Sequence, residues 1–144
     1  MKEHVPVMVN EVLAALMPWE EVKIAVDATL GLGGHTGSIL SNCKGAHVIG
    51  FDQDPFARKI AQDNLSQYSG RFEIEADNFR HIEKLKDRPG WRGASAVLFD
   101  LGISNMQITE SERGFSFQEE GPLDMRMDAA EGTNSELTAK EILD

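Results

Sequence analysis

Apolar positions in this chain follow two alternating rhythms. Val12, Leu13 and Leu16 recur at helical spacing behind Asn10, which can cap a helix from 11 to about 17 that Pro18 ends. That helix is expected to lie as a lid on a sheet. Residues 22–28 and 46–51 are near-continuous apolar runs, separated by a glycine-rich turn and a helical stretch near 35–42, a strand–helix–strand pattern. Pro55 suits the first turn of the next helix, which runs to about 68 with Phe56, Ile60, Ala61 and Leu65 facing inward, and 71–75 reads as a third strand. A helix around 80–87 with Ile82 and Leu85, a Pro89-Gly90 turn and the apolar run 94–99 supply a fourth strand. Strands alternating with helices predict an α/β fold with a parallel sheet and right-handed crossovers. Beyond Leu101 the periodicity fails for about thirty residues, too long for an idle loop in a compact domain, and a short helix restarts near Thr138.

At 144 residues the chain can bury roughly 70% of the surface of its unfolded form, enough for one domain, 1–144, and not for two. Hydrophobic residues at 41% and charged residues at 26% are ordinary for a globular protein, and no apolar run approaches the roughly 18 residues of a membrane span. With no signal or transit segment after Met1, a soluble, cytoplasmic protein is expected; a mitochondrial one would need a leader. Cys43 is the single cysteine, has no metal-ligand spacing around it, and reads as inert. No metal site is expected. The net charge of -10 argues against whole-surface nucleic-acid binding, which leaves only a local basic patch for that role.

The strongest local feature is Asp27-Ala28-Thr29-Leu30-Gly31-Leu32-Gly33-Gly34-His35, where glycines permit a tight turn and let a ligand approach the backbone. Such a loop binds a nucleotide-like cofactor or merely turns a corner. The dinucleotide fingerprint G-x-G-x-x-G needs a third glycine where Thr36 stands, so a nicotinamide or flavin is disfavoured. Asp27, Gly31 and Gly33 fit instead the first methyltransferase motif, with Thr29 replacing its usual first glycine. Asp52, at the end of the second strand, is placed to accept hydrogen bonds from both hydroxyls of a ribose; the alternative, a helix N-cap, is better filled by Asp54 directly before Pro55. Asp77-Asn78-Phe79 ends the third strand, with Phe79 either an apolar face for an adenine or a core residue. Asp100 ends the fourth strand at the same carboxyl edge of the sheet. The stretch from Arg113 to Asp128 mixes arginines, aromatics and turn formers, as a nucleic-acid-facing loop does.

With these segments in view, the chain closely resembles the bacterial ribosomal RNA small-subunit methyltransferase H family over essentially its whole length. The resemblance rests on His4-Val5-Pro6-Val7, the loop from Asp27 to His35, Asp52-Gln53-Asp54-Pro55 and Asp100-Leu101-Gly102. Above all it rests on Glu112-Arg113-Gly114-Phe115-Ser116-Phe117 with Gly121-Pro122-Leu123-Asp124-Met125-Arg126-Met127-Asp128. It implies a Rossmann-like sheet and S-adenosylmethionine as cofactor. Gly33, Gly34 and His35 would surround the methionine end, Asp52 the ribose and Phe79 the adenine, with Asp100 and Gln107 completing the pocket. It also implies methylation of the exocyclic N4 of a cytosine in small-subunit (16S-type) ribosomal RNA, within the RNA or the assembling 30S-type subunit. Two positions depart from the family: Ile103-Ser104-Asn105-Met106-Gln107 stands where a Ser-Ser-Pro-Gln run is usual, and Leu32 fills a variable place. The family is about twice as long, adding a helical substrate domain and further strands, so this chain is expected to be truncated after about four strands. The fourth strand then becomes an open edge, to be covered by the 102–128 loop or by a second copy of the chain in a homodimer.

The implied reaction is an in-line displacement in which the cytosine amine attacks the sulfonium methyl, and the protein acts chiefly by alignment. No Asp-Pro-Pro-Tyr signature follows the fourth strand, so the general base is unassigned, and Asp100 or a residue in the absent half of the family pattern is the candidate to orient the amine. Two rival readings are a cofactor-binding fragment or paralogue without activity and a nucleotide-dependent oxidoreductase. The absent half of the family pattern favours the first while the intact loop motifs favour an enzyme lineage, and Thr36 and the lack of a recognisable substrate domain oppose the second.

Overall fold

The computed structural model describes residues 6–102, 113–116, 120–127 and 137–143. The chain divides into two units, 1–100 and 101–144.

In the first unit β1 (Ile24–Asp27), β2 (His47–Phe51), β3 (Phe72–Glu75) and β4 (Ala96–Leu98) form a wholly parallel sheet in the order β3-β2-β1-β4. Asp27 pairs with Gly50 on one side and Leu98 on the other, and Phe51 pairs with Glu75, so all four strands end along one edge. The α/β expectation holds. Strands three and four are each shorter than their apolar runs suggested: Trp91 and Ala94, ahead of β4, pack under the sheet instead of joining it. β4 lies at one edge, as expected.

Side chains alternate along the strands and are buried on both faces, the behaviour of a parallel sheet covered on each side. One face carries Ala25 and Val48 against Leu30, Ile39, Leu40, Cys43, Ala61 and Leu65 from α2 (Gly34–Asn42), α3 (Pro55–Asn64) and their flanking turns. The other carries Val26, Ile49 and Phe51 against Leu85, with Ile24, Ile82, Trp91 and Ala94 around them. Cys43 is fully buried and burial pushes its thiol up, away from the thiolate.

Several helical expectations need correction. α1 (Val9–Ala15) starts two residues before the expected position, behind Met8 in a left-handed conformation, so Asn10 lies inside the helix and caps nothing. The earlier start adds Val9 to Leu13 on one stripe while Val12 and Leu16 form another. Val12, Ala15 and Leu16 line an apolar cavity with Ala25, Val26, Ala96, Val97 and Leu98, so the helix does lie over the sheet. α3 ends at Asn64 and gives way to a 3-10 turn, Ser66–Tyr68. Its inward stripe is Ala57, Ala61 and then Leu65, four apart, and Phe56, about 100° round from Ala57, is 49% exposed. The stretch Phe79–Asp87 is 3-10 with a kink at His81, not α-helix.

Arg71 joins the C-terminal end of α2 to the sheet. Its guanidinium donates to the carbonyls of Leu40 (3.0 Å), Cys43 (2.7 Å) and Ala46 (3.1 Å). They belong to the helix end and its exit turn, where the Cys43 carbonyl also accepts the Ala46 amide (2.9 Å).

The second unit is described through 101–102, 113–116, 120–127 and 137–143. Gly114 has φ +77° and the Pro122 carbonyl lies where a Cβ would go, so only glycine fits. Arg126 forks onto both oxygens of Asp124 (2.7 and 2.8 Å), Arg113 donates to the Met127 carbonyl (2.9 Å), and Phe115 is buried. The arginines of this loop therefore hold the loop itself together. The expected helix near 138 is α4 (Ala139–Leu143), entered by a reciprocal cap in which the Thr138 amide and hydroxyl donate to Glu141 (both 2.8 Å) and the Glu141 amide donates to the Thr138 hydroxyl (3.2 Å).

Replacing the Arg71 fork with the ammonium of Arg71→Lys is expected to lower unfolding free energy by roughly 1–3 kcal/mol, since the three N–H groups of one tetrahedral nitrogen cannot span carbonyls that the planar guanidinium reaches from two nitrogens. Urea denaturation of the two proteins checks this, and an unchanged midpoint would show that water satisfies those carbonyls equally well.

Candidate functional site

The carboxyl edge of the sheet collects the polar residues that the sequence singled out. Asp27, 1% exposed at the end of the central strand, accepts the Thr36 hydroxyl (2.7 Å) and the Thr29 amide (3.2 Å). Burial pushes its carboxyl up from the ordinary range, against these two hydrogen bonds and the neighbouring His35. Thr36, the residue that broke the dinucleotide fingerprint, is thus the buried partner of the acidic motif residue.

The turn between Thr29 and Gly34 requires glycine for separate reasons. Gly31 (φ +52°) and Gly33 (φ +82°) occupy left-handed backbone, and a Cβ at Gly31 would meet the Thr29 carbonyl at 3.9 Å, an ordinary contact. A Cβ at Gly33 would press on Leu65 (3.1 Å), and one at Gly34 would overlap Pro6. The glycines thus bring α3 and the N-terminal segment up behind the loop.

Asp52 follows β2 and bridges two loops. Its Oδ2 accepts the Gly31 amide (2.9 Å) and its Oδ1 accepts the Asp54 amide (2.8 Å). Desolvation raises its carboxyl to about 6, with those two amides and Arg58 opposing and Asp54 adding to the rise. Asp54 is fully buried and accepts the Phe56 amide (2.9 Å) as the N-cap of α3, the role that the sequence assigned to it.

After β3, burial raises Asp77, but Lys84 (2.8 Å), His81 (2.7 Å) and the Asn78 amide outweigh it and bring the carboxyl down to about 2. Phe79 is 37% exposed and meets Phe99 edge to face, ring centres 5.7 Å apart. Phe79 is therefore not a core residue, and together the two rings make an apolar wall between the ends of β3 and β4. Asp100 is exposed, with Oδ2 3.6 Å from Nε2 of the buried His35. Nδ1 of His35 is buried without a hydrogen-bond partner among the described residues. Gln107 lies outside the described residues. The structure thus brings Gly33, Gly34, His35, Asp52, Phe79 and Asp100 to one edge. Sequence reasoning missed Phe99 and the hydroxyls of Thr29 and Thr36. Phe99 stood within an apolar run, and threonines in a turn carry no pattern of their own.

The order β3-β2-β1-β4 reverses between β1 and β4, and ligands of open α/β sheets bind at such reversals, outside the carboxyl ends of the strands. An open glycine turn, a carboxylate after β2 and an apolar wall after β3 suit a nucleoside cofactor there, and the unpartnered Nδ1 of His35 leaves a polar atom for it. Fold and edge define a Rossmann-like α/β protein. A structure from Clostridium thermocellum, designated a candidate rRNA-methylase, superposes with a TM-score of 0.54 at 24% identity, covering 69% of this chain and 54% of its own. One from Klebsiella pneumoniae, designated a candidate O-methyltransferase, gives 0.54 at 13% identity, covering 70% and 46%. Both are likenesses of fold.

The chain belongs to the MraW methylase family, whose sequence pattern matches residues 1–144. It is 42% identical over 142 residues to ribosomal RNA small subunit methyltransferase H of Nocardioides sp., covering 97% of this chain and 43% of the relative. To the protein of that name from Rhizobium leguminosarum it is 46% identical over 132 residues, covering 92% and 37%, and to that of Thermotoga neapolitana 40% over 140, covering 97% and 45%. The chain spans less than half the length of these relatives.

The raised Asp52 carboxyl fixes the sign of a pH effect. The folded form holds this proton more tightly than the unfolded chain, whose value is near 3.8, so the group leaves stability intact below about pH 4 and subtracts from it as pH rises through about 6. Asp52→Asn cannot ionise. Its stability relative to the parent is expected to grow between pH 4 and 7 in urea titrations, and a constant difference across that window would contradict the burial argument.

Proposed function

We propose that this chain is the cofactor-binding part of an S-adenosylmethionine-dependent methyltransferase acting on the exocyclic N4 of a cytosine in small-subunit ribosomal RNA. The observation that carries the reading is the row of groups on the four strand ends: the glycine turn after β1, Asp52 after β2, Phe79 after β3 and Asp100 after β4, all at the edge where the strand order reverses. Family membership and the curated relatives' name supply the substrate class.

When bound, the cofactor supplies an activated methyl on a sulfonium centre. Asp52 would accept the ribose hydroxyls, its carboxylate already oriented by the Gly31 and Asp54 amides. Phe79, backed by Phe99, would lie along the adenine. Gly33, Gly34 and His35 would surround the methionine end, and Asp100 with Gln107 would close the pocket. Asp100, half exposed beside His35, is the candidate to orient the incoming amine. An activated methyl needs little further activation, so the protein's contribution is alignment. Arg80, Lys86 and Arg92 are exposed on the stretch after Phe79 and supply cations of the kind that an RNA backbone requires, despite the net charge of -10. The assembling 30S-type subunit is the proposed physiological substrate and the cytoplasm the proposed location. Among the described residues no helix is long and apolar enough to cross a membrane. A second copy of the chain pairing along the edge strand β4 is the proposed oligomer, with cover by the 102–128 loop as the monomeric alternative.

Calorimetric titration with S-adenosylmethionine is expected to show one site, weakened at least about tenfold in Asp52→Ala through the lost charge-assisted hydrogen bonds. Transfer of labelled methyl to small-subunit but not large-subunit RNA then tests the substrate. Cofactor binding without transfer would leave the inactive binding module as the better description. Because only the ionised carboxylate accepts from both hydroxyls, affinity is expected to fall by up to about tenfold per pH unit below about 6. A flat profile from pH 5 to 7 would remove Asp52 from the site.

A further inference from the structure

The backbone ladder between the two strands at the reversal continues to the Ala28 amide, which donates to the Leu98 carbonyl (2.9 Å). One step further the strands part, and a side chain takes over: the Asp100 amide donates to the Thr29 hydroxyl oxygen (2.7 Å). Thr29 is itself fixed from behind, since its amide donates to the buried Asp27 carboxylate, which also accepts the Thr36 hydroxyl. The hydroxyl therefore spans the crevice at which the strand order reverses and ties the exposed end of β4 to the turn anchored on the buried Asp27 carboxyl. The Asp100 carboxylate on that tethered residue faces His35, which stands on α2 directly before Thr36. A glycine at position 29, usual in this motif, has no oxygen to offer and would leave the Asp100 amide to water.

We propose that Thr29 is a positioning residue for the cofactor pocket: its hydroxyl sets the place of Asp100, and through Asp100 the orientation of the His35 ring. This rests on the reading of Asp100 as a cofactor residue. Thr29 works through the hydroxyl alone, so the methyl-bearing isostere without it fails and the hydroxyl without the methyl suffices.

The test combines calorimetry with S-adenosylhomocysteine and amide hydrogen exchange on the protein and its Thr29→Val, Thr29→Ser, Asp100→Ala and Thr29→Val/Asp100→Ala variants, with thermal unfolding to identify folded variants. Thr29→Val is expected to weaken binding about tenfold and to speed exchange of the Asp100 amide, and Thr29→Ser to stay within about threefold of the parent in both. In the Asp100→Ala background, Thr29→Val is expected to add little further loss, which distinguishes action through Asp100 from general loosening of the turn. Parent-like binding by Thr29→Val, or additive losses in the double variant, would overturn the proposal while leaving the cofactor reading intact. Failure of the parent itself to bind would overturn that reading and this inference with it. Should Thr29→Val not fold, Thr29→Ala carries the same comparison, since it too lacks the hydroxyl.

Discussion

A carboxylate buried at the end of the central strand is the constraint on which the functional edge depends. Asp27 is out of water and can be tolerated there only if its oxygens are occupied; the Thr36 hydroxyl and the Thr29 amide occupy them. Those two partners belong to the first turn of α2 and to the glycine turn before it, so satisfying one buried group fixes where the helix starts and how the chain leaves β1. From the fixed turn the connections run outward in both directions. The Gly31 amide reaches Asp52 on the neighbouring strand end, and the Thr29 hydroxyl reaches Asp100 on the other. The turn after β1 is thereby hydrogen-bonded to both neighbouring strand ends.

The sheet beneath supports this edge unequally. On the face covered by α2 and α3 the core is continuous, and fully buried Leu40, Val48 and Ala61 lie within it. The opposite face is covered by a kinked 3-10 stretch and a few partly buried side chains. Towards β3 that face ceases to be apolar: Glu73 pairs with His47 (2.9 Å) and Arg88 (3.0 Å), and Glu75 pairs with Arg88. Charged residues along an edge strand also discourage pairing with another chain, which leaves β4, with half-exposed Val97 and Phe99, as the edge better suited to be covered.

The two raised carboxyls, Asp27 and Asp52, share a cause and differ in use. Both are lifted by desolvation, yet Asp27 has its hydrogen-bonding capacity directed inward, while Asp52 is held by two loop amides beside an open glycine turn. The first organises the edge and the second is presented by it. The glycine loop divides in a similar way, since the Cβ direction of Gly31 meets the Thr29 carbonyl only at ordinary contact distance (3.9 Å) whereas those of Gly33 and Gly34 are blocked by Leu65 and Pro6.

The sequence by itself determined the strand–helix alternation, the parallel sheet, the family pattern and the Asp54 cap, because periodicity, turn residues and capping are local and each leaves its mark within a few positions. It also placed Asp52, Phe79 and Asp100 at strand ends, since the end of an apolar run is legible. Tertiary structure alone decided the start of α1 ahead of Asn10, the outward turn of Phe56 and the replacement of an expected helix by 3-10 turns over Phe79–Asp87, because packing against the sheet overrode local preference in each. It alone joined Thr29 to Asp100, 71 residues apart, and Phe79 to Phe99. The first pair exists only because strand order sets the ends of β1 and β4 side by side, and the second joins segments that leave strands at opposite edges of the sheet; neither placement is a property of any one stretch of chain.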